Sequence, residues 1–133
     1  MNAIETLGFR GEALASIAAV SRVELITRAA GEKAGVRAFA EGGMLRDITG
    51  IGAEEGTTII VSDLFFNTPV RRKFLKTDSA ESAMVIDYLS KMTLAYPDIR
   101  IRVINNGSIL FSTQGKGDVY QNILMVYSRQ TAN

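Results

Sequence analysis

The stretch EGTTIIVSDLFFNTPVRRKFLK, residues 55–76, carries the reading that decides the fold. Its first part, TTIIVSDL (57–64), is rich in β-branched residues and nearly continuous in apolar character. That pattern predicts a central strand covered on both faces. The Gly56-Thr57 pair at its start can turn a hydroxyl into a pocket, and it is equally a place where a β-branched residue simply begins a strand. Thr68 then offers an N-cap and Pro69 suits the first helical position, so a short basic helix is predicted next. Phe65, Phe66 and Phe74 read most simply as core residues.

Working outward, the upstream segments are predicted as a helix and a set of hairpins. A helix starts near Gly11 or Glu12, with Leu14, Ile17 and Ala18 on one buried face. RVELITR (22–28) reads as a strand with Val23, Leu25 and Thr27 on one side. GEKAG (31–35) is a turn, VRAFAE (36–41) a second strand, and Gly42-Gly43 a hairpin signal. MLRDITG (44–50) is a weaker third strand, followed by the glycine-rich loop GIGAEEG (50–56). Downstream, Asp78 and Glu81 stand at capping-box spacing before a helix that buries Val85, Tyr88, Leu89 and Met92 and stops before Pro97. IRIRVI (99–104) alternates, with Ile99, Ile101 and Val103 inward and Arg100 and Arg102 outward. Asn106-Gly107 turns it into SILFST (108–113). After the loop QGKGD, Asp118 can cap a last helix, VYQNILMVYSRQ. This order of elements predicts an α+β fold, a mainly antiparallel sheet with helices on one face.

Composition narrows the chemistry. The 133 residues suffice for one domain with a core. Fifteen basic residues against fourteen acidic ones leave a net charge of +1, so nucleic-acid binding would need a local basic patch. With no cysteine and no histidine, disulfides, thiolate catalysis, zinc-finger ligation and histidine general-base chemistry are excluded for these residues. No apolar run approaches the roughly 20 residues of a membrane span. The absence of disulfides fits the cytoplasm. Met1 to Ala3 are native or remain from cloning.

Two clusters could carry chemistry. Gly8, Phe9, Arg10, Gly11, Glu12, Ala13 and Leu14 run a glycine-rich turn into a helix. The first helix amides lack intrahelical partners, and glycine lets the backbone approach a ligand, so the turn can cradle an anion. A plain loop entering a helix needs the same glycines. No G-K-[ST] follows, as a Walker loop requires, and no strand precedes, as a dinucleotide fingerprint requires. The second cluster is Arg71, Arg72, Lys73 and Lys76. Arg72 and Lys76 would share a helical face able to meet phosphates, or simply solvent.

Together, LGFRGEALASI (7–17) and EGTTIIVSDLFFNTPVRRKFLK resemble the N-terminal ATPase region of the MutL DNA mismatch-repair proteins, members of the GHKL ATPase superfamily. The spacing between the segments is similar too, as is YSRQTA (127–132). The resemblance implies that Gly8 to Leu14 form a phosphate-binding lid, and that Thr57 helps to hold the adenine end of ATP, usually through water. It implies a DNA contact near Arg71, Arg72, Lys73 and Lys76. It also implies ATP and magnesium as cofactors. DNA, a mismatch-recognition protein and downstream repair enzymes are the implied partners, with homodimerisation on nucleotide binding and a cytoplasmic, nucleoid-associated setting.

In that family the catalytic glutamate, the magnesium-holding asparagine and an adenine-reading D-x-G-x-G motif all precede the lid. This sequence contains no D-x-G-x-G. The expectation is therefore a fragment: residues 1–116 the C-terminal part of a GHKL ATPase domain, and residues 117–133 the start of a segment leading to a second, transducer subdomain. The parent would be a nucleotide-switched ATPase. The fragment itself, with no catalytic residue and no metal ligand, would be inactive. The alternative is a non-enzymatic DNA- or protein-binding module.

Overall fold

The computed structural model describes residues 12–75 and 77–115. The elements are α1 (Glu12–Ala18), β1 (Arg22–Arg28), β2 (Gly35–Glu41), β3 (Met44–Ile51), β4 (Gly56–Ser62), α2 (Pro69–Arg72), α3 (Asp78–Ala95), β5 (Ile101–Asn105) and β6 (Ser108–Ser112). The six strands form one sheet in the order β3-β2-β1-β4-β5-β6. Four of the five pairings are antiparallel, and β4 and β5 are parallel. A parallel pair requires a long crossover, and α2 and α3 provide it. The expected α+β class, with a mainly antiparallel sheet, is what the chain adopts.

The hairpins turn where glycine permits. Gly42 and Gly43 have φ of 58° and 84°, and Asn106 and Gly107 have 48° and 86°, the left-handed pairs that tight hairpins need. Alternation in β1 and β5 puts Val23, Leu25, Ile101 and Val103 on the helix side, where they meet Leu14 and Ile17 of α1 and Val85, Ile86 and Leu89 of α3. Each such side chain contributes about 1.5–3 kcal/mol of burial free energy. Tyr88, expected in the core, is partly buried against it, and Ile86 is a core residue in addition.

Three sequence expectations need correction. β4 is central but is fully covered on one face only: Thr57, Ile59 and Val61 are buried, while Thr58, Ile60 and Ser62 are half-buried. The described core helices contribute to the one cluster on the first face, so the apolar run does not mean two-sided cover. The cap of α3 is Thr77, one residue before Asp78: its hydroxyl accepts from the Ala80 amide at 3.0 Å. Asp78 and Glu81 instead occupy the first turn, where negative charge favours the helix dipole. Finally, Phe74 is not a core residue. It is 76% exposed, beside Val70 at 73%. A four-residue helix cannot bury a face along its length, and α2 ends at Arg72. Lys76, expected to share a face with Arg72, lies outside the described residues. So do the expected Asp118 cap and its helix. No described helix is long and apolar enough to cross a membrane.

Candidate functional site

Gly8 to Gly11, the centre of the expected lid, lie outside the described residues, as do the side chains of Glu12 and Ala13. From Glu12 on, the backbone is the helix that the sequence predicts, and the Leu14 side chain is buried in the core. The far end of α1 is held in an unusual way. A helix leaves its last carbonyls without intrahelical donors. Here Ser21 Oγ donates to the Ile17 carbonyl at 2.6 Å, Gly43 N to Ala18 at 2.8 Å, Asn67 Nδ2 to Ala19 at 3.0 Å and Phe65 N to Val20 at 2.5 Å. Only the first of these donors is local. The others come from the β2–β3 hairpin and from the turn after β4.

That turn is strained. Asp63 and Phe65 both have positive φ, 53° and 63°, which is uncommon for residues with a β carbon. Packing holds it there. Phe65 is buried, with the Arg71 guanidinium 5.6 Å from its ring centroid. Arg22 lies 4.2 Å over the ring of Phe66 and donates to Glu41 at 2.7 Å and to Asp63 at 2.8 Å. Hydrogen bonding to Glu41, then to Asp63, raises the Arg22 pKa further above its ordinary value. Neither Arg22 nor Asn67 stood out in the sequence. Their roles depend on partners 19 to 48 residues away, and no local pattern marks such partners.

Thr57 sits at the other end of β4. It is 5% exposed, faces the helix side, and its hydroxyl lies 2.8 Å from that of Thr27 on the neighbouring strand. Two hydroxyls carry two protons, and their mutual bond uses one, which leaves a donor and free lone pairs for a further partner. A cavity of about 200 Å³ also borders Thr57, lined by Ile26, Ile51, Thr58, Arg100, Arg102 and the 52–56 loop. Ile26, Thr58 and Arg102 are register neighbours on the alternate, half-buried positions, so this cavity opens on the helix-free side and is not where the Thr57 hydroxyl points.

The basic cluster is divided. Arg72 reaches back: its Nη1 donates to the Leu64 carbonyl at 2.8 Å and lies 3.5 Å from the Glu81 carboxylate, itself only 5% exposed. All three cations, Arg71, Arg72 and Lys73, are exposed, Arg72 with 49% of its side chain accessible even while bonded in this way. Thr57 and this cluster stand at opposite ends of β4, roughly 15–20 Å of extended strand apart. Arg72→Ala is expected to lower stability by about 1–2 kcal/mol, because it removes a charged hydrogen bond to a carbonyl and leaves the buried Glu81 without its cation. Chemical denaturation checks this, and a change below about 0.5 kcal/mol would show that the clamp contributes nothing.

Comparison with known proteins finds relatives along nearly the whole chain. Over 127 residues, 96% of its length, the chain is 46% identical to the DNA mismatch repair protein MutL of Desulforamulus reducens and covers 20% of it. It is 41% identical over 128 residues, again 96% of its length, to MutL of Clostridium tetani, of which it covers 21%. The chain matches a segment of the MutL mismatch-repair proteins. It spans about a fifth of the length of the curated relatives it matches. Among solved structures it is similar to the Aquifex aeolicus MutL ATPase domain complexed with ADP, with 30% identity and a TM-score of 0.54 over 96% of this chain and 52% of that one. The six-stranded sheet with its helices matches this GHKL-type ATPase fold. No protein-family model matches the chain.

Proposed function

We propose that this chain is part of the nucleotide-binding region of a mismatch-repair ATPase, in which ATP acts as a switch that couples mismatch recognition to downstream repair. The observation that carries the reading is the similarity, over 96% of the chain, to a MutL ATPase domain complexed with ADP. Under this reading the amides of Gly8 to Leu14 wrap the phosphates at the start of α1, where they have no helical partner. The residues present fit a nucleotide at one further point. The Thr27–Thr57 hydroxyl pair is buried on the helix side and retains a free proton and lone pairs, which suits a water-mediated contact with a base.

Magnesium belongs to the reading by resemblance alone. Among the described residues no group of three or more His, Cys, Asp or Glu is placed to hold a metal ion. ATP with magnesium supplies the phosphoryl chemistry when bound, and this chain supplies orientation of the phosphates. DNA, a mismatch-recognition protein, downstream repair enzymes and a second copy of the whole protein are the partners, in the bacterial cytoplasm and at the nucleoid.

Calorimetry with ATP and magnesium tests the site. In the full-length protein, Gly11→Val should weaken ATP binding at least about tenfold, roughly 1.4 kcal/mol, with little change in melting temperature. A β-branched side chain at this turn blocks close approach of a phosphate. Unaltered affinity would remove the cradle assignment. The 133 residues alone should bind ATP more weakly than micromolar, which would require about −8 kcal/mol, and should release no phosphate. A few amide and hydroxyl contacts must offset an association cost of about 4 kcal/mol or more without the D-x-G-x-G motif that reads adenine in the MutL proteins.

The exposed cations Arg71 and Lys73 are the better DNA candidates, since Arg72 is held by Leu64 and Glu81. Arg71→Glu with Lys73→Glu should lower non-specific DNA affinity of the full-length protein. It should also flatten the dependence of log K on log salt by about 1 to 2 units, because each phosphate contact releases about one counterion. An unaltered salt slope would return both residues to the solvated surface.

A further inference from the structure

The two carbonyls that directly follow α1, those of Ala19 and Val20, and the base of α2 meet at a single turn, residues 63–67. We infer that Asn67 is a positioning residue that ties the nucleotide lid helix to the basic segment, so that a change at one is felt at the other. This rests on the nucleotide reading proposed above.

The geometry has three parts. First, Asn67 Nδ2 donates to the Ala19 carbonyl at 3.0 Å across 48 residues of chain, and the Phe65 amide donates to the next carbonyl, Val20. The exit of α1, directly after Ala18, is thus held by the turn itself. Second, the same turn runs straight into α2. Thr68 is its N-cap residue, the Arg72 amide donates to the Thr68 carbonyl at 3.0 Å, and the Arg72 guanidinium returns to Leu64. Third, the turn lies against the β2–β3 hairpin: a β carbon on Gly42 would make ordinary contact, at 3.5 Å, with both Asn67 Nδ2 and Phe66 Cζ. The left-handed Asp63 and Phe65 fix the turn from the β4 side. A rigid turn that holds the exit of one helix and starts the other passes displacement between them, whereas a slack loop would absorb it. The Asn67 side chain is the link that can be cut with least damage, because it is exposed and makes a single hydrogen bond among the described residues.

The test is amide hydrogen exchange on the full-length protein, with and without a saturating non-hydrolysable ATP analogue and magnesium. Two segments are read: residues 8–18, and the hydrogen-bonded amides of Arg72 to Leu75. In the wild type the analogue should change exchange in both by about fivefold or more. In Asn67→Ala and Asn67→Asp the effect on residues 8–18 should persist while that on Arg72 to Leu75 is lost. A carboxylate has the shape of the amide but cannot donate to a carbonyl. Asn67→Gln, which keeps the donor, should restore part of the distal effect. A merely structural role would lower the melting temperature of all three variants and leave the ratio of the two effects unchanged. A wild-type response at Arg72 to Leu75 in Asn67→Ala overturns the coupling and leaves the nucleotide reading intact. Loss of both effects in Asn67→Ala at saturating analogue also overturns it, because Asn67 would then serve binding itself. No protection of residues 8–18 in the wild type overturns the nucleotide reading and the coupling with it.

Discussion

Phe65→Ala is expected to destabilise the fold by about 3–5 kcal/mol, the usual cost of deleting a buried aromatic side chain. The ring is 2% exposed and packs with Leu64, Ile17 and the α3 residues in the main cluster. The informative comparison is with Phe65→Gly. At most core positions glycine is worse than alanine, because it loses more backbone entropy on folding, by about 0.5–1 kcal/mol. Here the backbone has φ of 63°, where a β carbon costs about 1–2 kcal/mol. Phe65→Gly should therefore be at least as stable as Phe65→Ala, by up to about 1.5 kcal/mol. Equilibrium denaturation of both variants measures the difference. The opposite order would mean that the turn is not left-handed at Phe65.

The second large effect is expected at Gly56. Its φ is 117°, and a β carbon there would stand 2.8 Å from the Arg100 carbonyl. That carbonyl accepts the Thr57 amide at 2.8 Å, the bond that starts the β4–β5 pairing. Gly56→Val must either rotate the backbone or push β5 away. The strain of the dihedral, about 1–3 kcal/mol, and the overpacking, another 1–3 kcal/mol, combine to about 2–6 kcal/mol. Thr57 is the next residue, so nucleotide affinity of the full-length protein should fall with stability. A variant that melts like the wild type would show that this junction adapts freely.

Much of this fold is legible because its signals are local. Val23, Leu25 and Thr27 alternate within one strand, and Gly42-Gly43 and Asn106-Gly107 are hairpin turns whose backbone demands are met by two residues. The misjudged features depend on partners distant in sequence. Phe74 has the composition of a core residue, and whether it is covered depends on what packs there. Thr77 outcompetes Asp78 as a cap because of where the chain enters α3. The buried Glu81 looked like a simple capping charge, yet it faces Arg72. At the site, the glycine-rich turn is visible in the sequence, but neither the Thr27 hydroxyl beside Thr57 nor the side-chain bond supplied by Asn67 is, since each joins segments 30 or more residues apart.

The parallel pairing of β4 with β5 bears on the order in which the chain assembles. The β1–β2–β3 meander and the β5–β6 hairpin each close short loops and are local in sequence. Neither can bury its apolar face alone, because Ile59 and Val61 of β4 lie between them. Joining β4 to β5 requires α2 and α3 to be spanned first, and the entropy of closing that loop must be met before any contact repays it. The rate-limiting step of refolding should therefore be the docking of two preformed halves through β4. Substitutions at Ile59 should slow refolding, whereas those in the β2–β3 hairpin should chiefly hasten unfolding.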